Sequence, residues 1–428
     1  MELFQRPTGT QDVLPDDQAY WQWLVKIARG VAARYGYQPF DVPVYEYTEL
    51  FSRGVGTGTD IVEKEMFSFV PRQDDERDRR QITLRPEFTA GFARAYLQNG
   101  MGSWPQPVKL FTIGPLFRYE RPQAGRFRQH TQFNCEAIGE SDPTVDFEVM
   151  AILWDYFTEA GLTGLTFQLN SIGSPEARRR YVREILVPYL RAREHELNEV
   201  DRRRLEQNPL RVLDSKEESA QAVIAEAPVI TDYLDAESAE HFATLRRYLD
   251  LTGRAYVINP RLVRGLDYYS KTVFEIHAEG IGAQSALCGG GRYDGLMELL
   301  GGPPTPGVGF GSGIERAIAA LRLQGITPPG LPQPPVFGVY FDQVSKDAMI
   351  VLLSELRRAG IGASMDYGSK SIKKQMRAGS QSGARFALIL GGNELERGEV
   401  QVKDLHSETQ SPVARDALIG WLRQRLTS

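Results

Sequence analysis

Apolar positions recur at helical spacing over residues 18–35 and again over residues 143–160, which predicts two amphipathic helices. Between and after them the rhythm becomes that of strands. QITLRP, VKLFTIGPLFRYE, FRQHTQFNCEAIG and TVFEIHA are rich in β-branched and aromatic residues and are separated by turn residues, which favours antiparallel pairing. Residues 175–250 are dense in Arg, Glu, Leu and Ala and predict a helical insertion. TPPGLPQPP, residues 327–335, has five prolines in nine positions and cannot be a helix interior or a central strand, so it reads as a linker. Beyond it the strands VFGVYF, GASMDY, ARFALILGG and EVQVKDL are interspersed with the helices KDAMIVLLSELRRAG, SIKKQMRAGSQSG and VARDALIGWLRQRL. That pattern predicts a small α/β unit with a mostly parallel sheet.

Alternation along one segment carries the chemistry. Arg128, His130, Gln132, Asn134 and Glu136 fall on one strand face, and Phe127, Gln129, Thr131, Phe133 and Cys135 on the other. PQAG, residues 122–125, is turn chemistry, so Arg118 and Glu120 sit on the facing arm of a hairpin, with Arg126 in its loop. A polar strand face is most often merely solvated. This one offers guanidinium, imidazole, amide and carboxylate groups together, as a site for a zwitterion or a polyphosphate requires. Three more patches agree: TLRPEFTAGFARAY sets Arg85, Glu87 and Thr89 at strand spacing, RLVRGLDYYSKTVFEI sets Arg264 ahead of Tyr268 and Tyr269, and GVGFGSGIERAIAAL presents Glu315 and Arg316 at a helix start.

Bulk properties narrow the class. At 428 residues, 42% hydrophobic and 25% charged, the chain has room for two or three globular domains. The net charge of −5 gives no global argument for nucleic acid, but residues 331–428 carry 13 Lys and Arg against 10 Asp and Glu. Cys135 and Cys288 are too few for a disulfide framework, and no CxxC or His/Cys cluster suggests zinc. With no apolar run at its start and no window of membrane-spanning length, the chain is expected to be soluble and cytoplasmic, without membrane contact.

Taken together, FRYER, GVGFGSGIER, LVRGLDYY, CGGGRYDGL, PTGTQDVLP and the tail KSIKKQMRAGSQSGARFALILGGNEL resemble the histidyl-tRNA synthetase family of class II aminoacyl-tRNA synthetases over essentially the whole chain. The resemblance implies an α+β catalytic domain over residues 1–326, with a mostly antiparallel sheet, flanking helices and the helical insertion at about 175–250. It also implies an α/β anticodon-binding domain over 336–428 after the linker. The implied activity is ATP-dependent conversion of L-histidine to histidyl-adenylate, followed by transfer to the 3′ end of tRNA(His) with release of AMP and diphosphate. ATP enters as a substrate with Mg2+, no cofactor or zinc is permanently bound, and the molecule is a homodimer.

The same resemblance assigns roles. Arg118 contacts the α-phosphate, Arg264 reaches that phosphate and the histidine carboxylate from the opposite side, and Arg316 holds the γ-phosphate and covers adenine. Glu120 receives the adenine amino group, and Arg126 engages the outer phosphates. Glu87, Thr89 and Gln132 take the α-amino group, Glu136 and Tyr269 read the imidazole, and Tyr268 and Tyr293 close the pocket. Lys370, Lys373, Lys374 and Arg377 belong to the tRNA-binding helix.

Two positions depart from the family pattern. Phe88 stands where glycine is usual after RPE, and His130 stands where an aromatic ring stacks on adenine, which would make ATP affinity sensitive to pH. The alternative is a catalytically silent, histidine-binding regulatory paralogue of histidine biosynthesis. Such subunits typically lack the tail domain and the reactive arginines, and both are present here.

Overall fold

The computed structural model describes all residues except 1–2, 57–58, 60, 71–79, 121–125, 216, 265–267, 282–285, 369 and 427–428, together with the side chains of 61 and 63. The expected turn at 122–125, Arg121 and the centre of LVRGLDYY therefore lie outside the described residues. The chain divides into two compact units, residues 1–329 and 330–428.

In the first unit an eight-stranded sheet is ordered β1-β5-β6-β11-β10-β9-β7-β8. Its strands are β1 (Gln38–Pro39), β5 (Val108–Phe117), β6 (Gln129–Ile138), β7 (Thr166–Ser171), β8 (Tyr256–Ile258), β9 (Ser270–His277), β10 (Ala286–Arg292) and β11 (Gly307–Gly313). The six central strands pair antiparallel, and the short edge strands β1 and β8 pair parallel to their neighbours. β5 and β6 form the expected pair, in register from Val108 opposite Ile138 to Phe117 opposite Gln129. A separate small sheet joins β2 (Tyr45–Tyr47), β3 (Phe67–Phe69) and β4 (Ile82–Leu84).

Helices cover one face of the large sheet. α1 (Pro15–Arg34), α4 (Pro143–Glu159), α9 (Ala236–Leu251) and α11 (Ile314–Leu323) bring Leu24, Val31, Val149, Leu153, Leu245 and Ile318 into one cluster with Phe133, Cys135 and Ala137 of β6. The strand alternation thus sends those three residues into the core and leaves Gln132, Asn134 and Glu136 on the opposite face. α4 starts where Asp142 accepts from the Thr144 N–H at 2.8 Å and Pro143 takes the first turn. It is followed by Gly161, whose φ of +83° few other residues adopt. α2 (Thr48–Val55), α3 (Thr89–Gln98) and α10 (Leu296–Leu299) pack in a second cluster with α5 (Pro175–Tyr181), α6 (Val187–Ala192), α7 (Glu199–Gln207) and α8 (Glu218–Glu226). The last helix of the insertion block, α9, packs on the main core.

The second unit carries a sheet ordered β13-β12-β14-β15-β16, built from β12 (Val336–Tyr340), β13 (Ala363–Met365), β14 (Phe386–Leu390), β15 (Glu399–Asp404) and β16 (Gln410–Ala414). It is mixed rather than mostly parallel, because β15 and β16 close as a hairpin against β14. Its helices are α12 (Gln343–Arg358), α13 (Ile372–Gln381), the unforeseen α14 (Gly392–Arg397) and α15 (Leu418–Leu426). The helix expected from Val413 starts only at Leu418, since Val413 and Ala414 pair in β16. Among the described residues, no helix is long and apolar enough to cross a membrane.

Candidate functional site

The face of β6, β11, β10 and β9 opposite the first helical cluster floors a cleft of about 780 Å3. Arg118, Arg264 and Arg316, which lie on segments remote in sequence, all line it. So do Glu87, Thr89, Glu120, Arg126, His130, Gln132, Tyr268, Tyr269 and Tyr293. Glu136, 1% exposed, is not itself in the lining but lies behind it, bonded to the lining residues Thr89, Asn134 and Tyr293.

Glycines make this convergence possible. A Cβ at Gly289 would lie 2.5 Å from Nη1 of Arg264 and closer still to the rest of the guanidinium group. At Gly309 it would overlap the Glu136 carboxylate, and at Gly311 it would stand 2.5 Å from Oε1 of Gln132. The glycine-rich strands therefore serve close approach, and the side chains of neighbouring strands lie flat across bare backbone.

Glu136 is held by three donors. The Thr89 hydroxyl and the Asn134 amide donate to Oε1 at 2.6 and 3.0 Å, and the Tyr293 hydroxyl donates to Oε2 at 2.6 Å. Burial pushes its carboxyl up to about 7, against the pull of those donors. Tyr293, rather than Tyr269, is the phenol bonded to Glu136. The rings of Tyr268 and Tyr269 stand 4.9 Å apart, and Tyr268 meets Tyr293 edge-on at 5.9 Å.

Glu87 and Thr89 are not on a strand. β4 stops at Leu84, and Pro86 has no N–H to extend the ladder. Glu87 instead accepts from the N–H groups of Thr89 and Ala90 at 2.6 and 2.8 Å, at the start of α3. Burial raises its carboxyl although these N–H groups act the other way. Arg85 points away from the cleft and donates to the carbonyls of Pro115 and Val42 at 2.9 and 2.6 Å. Phe88, the departure after RPE, has an ordinary φ of −95° and is buried, with its ring 3.4 Å from the space a Gly114 side chain would fill. Glycine is not required there.

Arg264 lies over Gly289 and donates to the Glu275 carboxylate, which His277 approaches at 3.1 Å. Burial works against its charge, but Tyr269 and Glu275 hold its pKa above the ordinary value. Its Nε is buried without a partner among the described residues. Arg118 donates from Nε to the Pro86 carbonyl at 2.8 Å, and Arg126 pairs with Glu120 at 3.3 Å. Arg316 donates to the Ala286 carbonyl at 3.0 Å, and burial lowers its pKa. His130 is held down to about 3 by burial and by Arg118, so it stays neutral near neutral pH. Arg128 leaves the site and stacks on Tyr119 at 3.8 Å.

Three groups at the site went unassigned from sequence. Glu275 is one; its only signal was an acid between Phe274 and Ile276 in β9. Asn134 shared the polar face but had no role. Glu315 accepts the Thr131 N–H on both carboxylate oxygens, at 2.9 and 3.1 Å. This continues the β6 ladder past the end of β11 and fixes the first turn of α11, with Arg316, on β6. Burial pushes Glu315 up to about 7. In the second unit, Lys373, Lys374 and Arg377 lie exposed along α13, and Lys370 pairs with Asp366 at 2.8 Å just before it.

Guanidinium groups gathered over an antiparallel sheet backed by helices are the arrangement that the resemblance to class II aminoacyl-tRNA synthetases implies. Comparison with known proteins makes the class specific. The pattern of the family described as Histidyl-tRNA synthetase matches residues 9–317, and that of Anticodon binding domain matches 336–425. A histidine–tRNA ligase of Pelotomaculum thermopropionicum is 48% identical over 425 residues, 99% of each chain. The crystal structure of apo histidyl-tRNA synthetase from S. aureus superposes with a TM-score of 0.82 at 35% identity, covering 98% of this chain and 99% of that one. A Bacillus halodurans structure described as an ATP phosphoribosyltransferase regulatory subunit/histidyl-tRNA synthetase shares the fold, with a TM-score of 0.64 at 22% identity, covering 92% of this chain and 100% of that one. The chain belongs to the histidyl-tRNA synthetase family. It is an aminoacyl-tRNA ligase, and the full-length ligase relative favours aminoacylation over the regulatory alternative.

Proposed function

We propose that the cleft over β6, β9, β10 and β11 is where this ligase activates histidine. The reaction is ATP-dependent formation of histidyl-adenylate and transfer of the histidyl group to tRNA. The observation that carries the site reading is the meeting of Arg118, Arg264 and Arg316 around one cleft whose lining residues Thr89, Asn134 and Tyr293 bond to the buried Glu136. In the first step a histidine carboxylate oxygen bonds to the α-phosphorus as diphosphate leaves. Two anions meet while negative charge builds on the phosphoryl oxygens, and fixed cations stabilise it there. Arg118 and Arg264 take that charge from opposite sides, and the unpartnered Nε of Arg264 is a donor for the incoming carboxylate. Arg316 and Arg126 hold the outer phosphates, Glu120 accepts the adenine amino group, and neutral His130 stacks on the base. In the second step a ribose hydroxyl at the tRNA 3′ end attacks the activated carbonyl, and AMP leaves.

Selection of the amino acid rests on the deep end. Glu136 accepts an imidazole N–H, Tyr269 meets the other nitrogen, and Tyr268 and Tyr293 wall the ring. Glu87, Thr89 and Gln132 receive the α-amino group. An apolar side chain would forgo the added hydrogen bond to Glu136 and face polar groups instead, a difference of about 1–3 kcal/mol for each buried polar group left unmatched. Mg2+ would arrive with ATP, held chiefly by its phosphates, with Glu275, which lines the cleft and pairs with Arg264, as a carboxylate that could help to hold it.

We read residues 1–326 as the catalytic domain and 336–428 as the anticodon-binding domain, joined by 327–335. Lys370, Lys373, Lys374 and Arg377 meet the RNA backbone, and an arginine-rich hollow of about 720 Å3 lined by Arg178, Arg179, Arg183 and Arg211 suits its acceptor end. The exposed Val44, Tyr45, Phe69 and Val70 on and beside the small sheet support a homodimer, which sedimentation tests. The working compartment is the cytoplasm, which fractionation tests. Diphosphate exchange into ATP with and without histidine tests the first step, and charging of tRNA tests the second. Glu136→Ala is expected to lose histidine activation far more than ATP binding; equal losses in both would refute the assignment.

A further inference from the structure

Lys271 combines three features rarely found together. It is 8% exposed, its φ is +48°, and its ammonium group lies between two carboxylates. Left-handed backbone at a buried lysine persists only where surrounding contacts impose it. Here the imposing contacts are visible. The β9–β10 register runs from Val273 opposite Gly291 directly to Ser270 opposite Arg292, so Lys271 and Thr272 have no partner residues on β10. Lys271 pairs the other way: its N–H donates to the Gly173 carbonyl and its own carbonyl accepts from the Ile172 N–H, both at 2.8 Å. This bulge turns the side chain toward α9 and toward the segment after β10.

The ammonium group binds Oε1 of Glu237, in the first turn of α9, at 2.6 Å and faces Oδ2 of Asp294 at 3.8 Å. The other oxygen of Asp294 pairs with Arg292 at 3.2 Å, and the Asp294 N–H donates to the Ser270 hydroxyl at 3.1 Å. Arg292 is itself held by the buried Asp146 of α4. Tyr293, between Arg292 and Asp294, is the residue bonded to Glu136. On the other side of the bulge stand Tyr269 and Tyr268, and Arg178 of α5 donates to the Tyr269 carbonyl.

We propose that Lys271 is a positioning residue for amino-acid recognition. From its strained bulge it ties the Tyr268–Tyr269 segment and the Tyr293 segment into one unit anchored on α9. It touches no substrate; it acts by fixing how the three phenols face Glu136. This rests on the reading of that end of the cleft as the histidine pocket. The nucleotide end, around Arg118 and Arg316, is built on other strands and does not depend on it.

Four variants test the proposal by diphosphate exchange, with separate titrations of histidine and ATP. Lys271→Met keeps the side-chain length and removes the charge; the histidine KM is expected to rise roughly tenfold, the scale of one lost buried charge-assisted contact, with the ATP KM little changed. Lys271→Arg restores the charge and is expected to recover most of that loss. Lys271→Gly removes the backbone strain together with the amine; the proposal expects a melting temperature at or above that of the parent but the same raised histidine KM. Tyr293→Phe tests the underlying pocket. If Tyr293→Phe raises the histidine KM and Lys271→Met does not, the role of Lys271 is refuted while the pocket stands. If Lys271→Met raises both KM values alike and Arg brings no recovery, the residue is structural only. If Tyr293→Phe leaves histidine binding untouched, the pocket reading itself fails.

Discussion

Gly289→Ala isolates the contribution of the Arg264 position. A methyl group there would lie 2.5 Å or less from three guanidinium atoms and from nothing else among its nearest neighbours. Ordinary contact begins near 3.4 Å, so the guanidinium must retreat by about 1 Å or more. It is the far end of a flexible side chain, and the strand keeps both its partners, β9 and β11. The fold should therefore survive, with melting within a few degrees of the parent. A donor moved by about 1 Å from developing charge loses most of its effect, and removal of one such donor costs about 10²–10³-fold in rate, or roughly 3–4 kcal/mol. The assay is single-turnover formation of adenylate at saturating histidine and ATP. The expected result is a rate reduced about 10²–10³-fold with ATP affinity changed far less. A second variant, Arg264→Ala, supplies the control: adding Gly289→Ala to it should cost little more, because the clashing group is gone. A Gly289→Ala enzyme of parental rate, or a double variant with fully additive losses, would show that Arg264 does not act from above that strand.

Other outcomes follow from the titrating carboxylates. The Glu136 carboxyl stands at about 7 in the fold against an ordinary 4.5, so between those values the folded state keeps a proton that the unfolded chain has released. Its contribution to stability therefore falls as pH rises through that window and levels off above about 7. The ionised form is the stronger, charge-assisted acceptor for an imidazole N–H, so the histidine KM should rise as pH drops below about 7. The free amino acid titrates near pH 6.5 in any enzyme, so the ratio of the parent profile to that of Glu136→Gln isolates the protein group; parallel profiles would exclude Glu136 as its source. Glu315→Ala leaves the Thr131 N–H without its acceptor and frees the first turn of α11 from β6. We expect the ATP KM to rise roughly tenfold, at a cost of about 1–3 kcal/mol for the stranded N–H, while Glu315→Gln, which keeps one acceptor oxygen, loses less. Equal effects of Ala and Gln would point to charge rather than to the bond.

Sequence periodicity carried part of the architecture because α1 has one face in a core and one outside it; α4, buried nearly all round, and β5, which feeds both clusters, were marked by their length and bounding turns instead. α4 spans Pro143–Glu159, beside the expected 143–160. Alternation along β6 also separated Phe133 and Cys135 from Gln132, Asn134 and Glu136. What alternation cannot show is where a polar group turns when backbone donors compete for it. Glu87 looked like a strand residue, yet two N–H groups at a helix start claim its carboxylate. Glu315 showed only as an acid at a helix start and proves to extend a strand ladder 184 residues away in sequence. His130 looked pH-sensitive, but a guanidinium group and burial, neither visible in its neighbours along the chain, keep it neutral. In the tail, the short α14 and the edge strand β16 were missed because neither buries a face large enough to impose a period.

Glu136 stands between Cys135 and Ala137, so the carboxylate we propose to read imidazole and the thiol and methyl that meet the helices belong to consecutive residues of one ribbon. Shrinking a side chain behind that ribbon, at Val149 or Leu153 for instance, loosens the wall on which a substrate is measured. Discrimination among amino acids is in this sense a mechanical property of the hydrophobic interior. Lesions buried well away from any ligand should announce themselves first as mischarging, before they appear as unfolding.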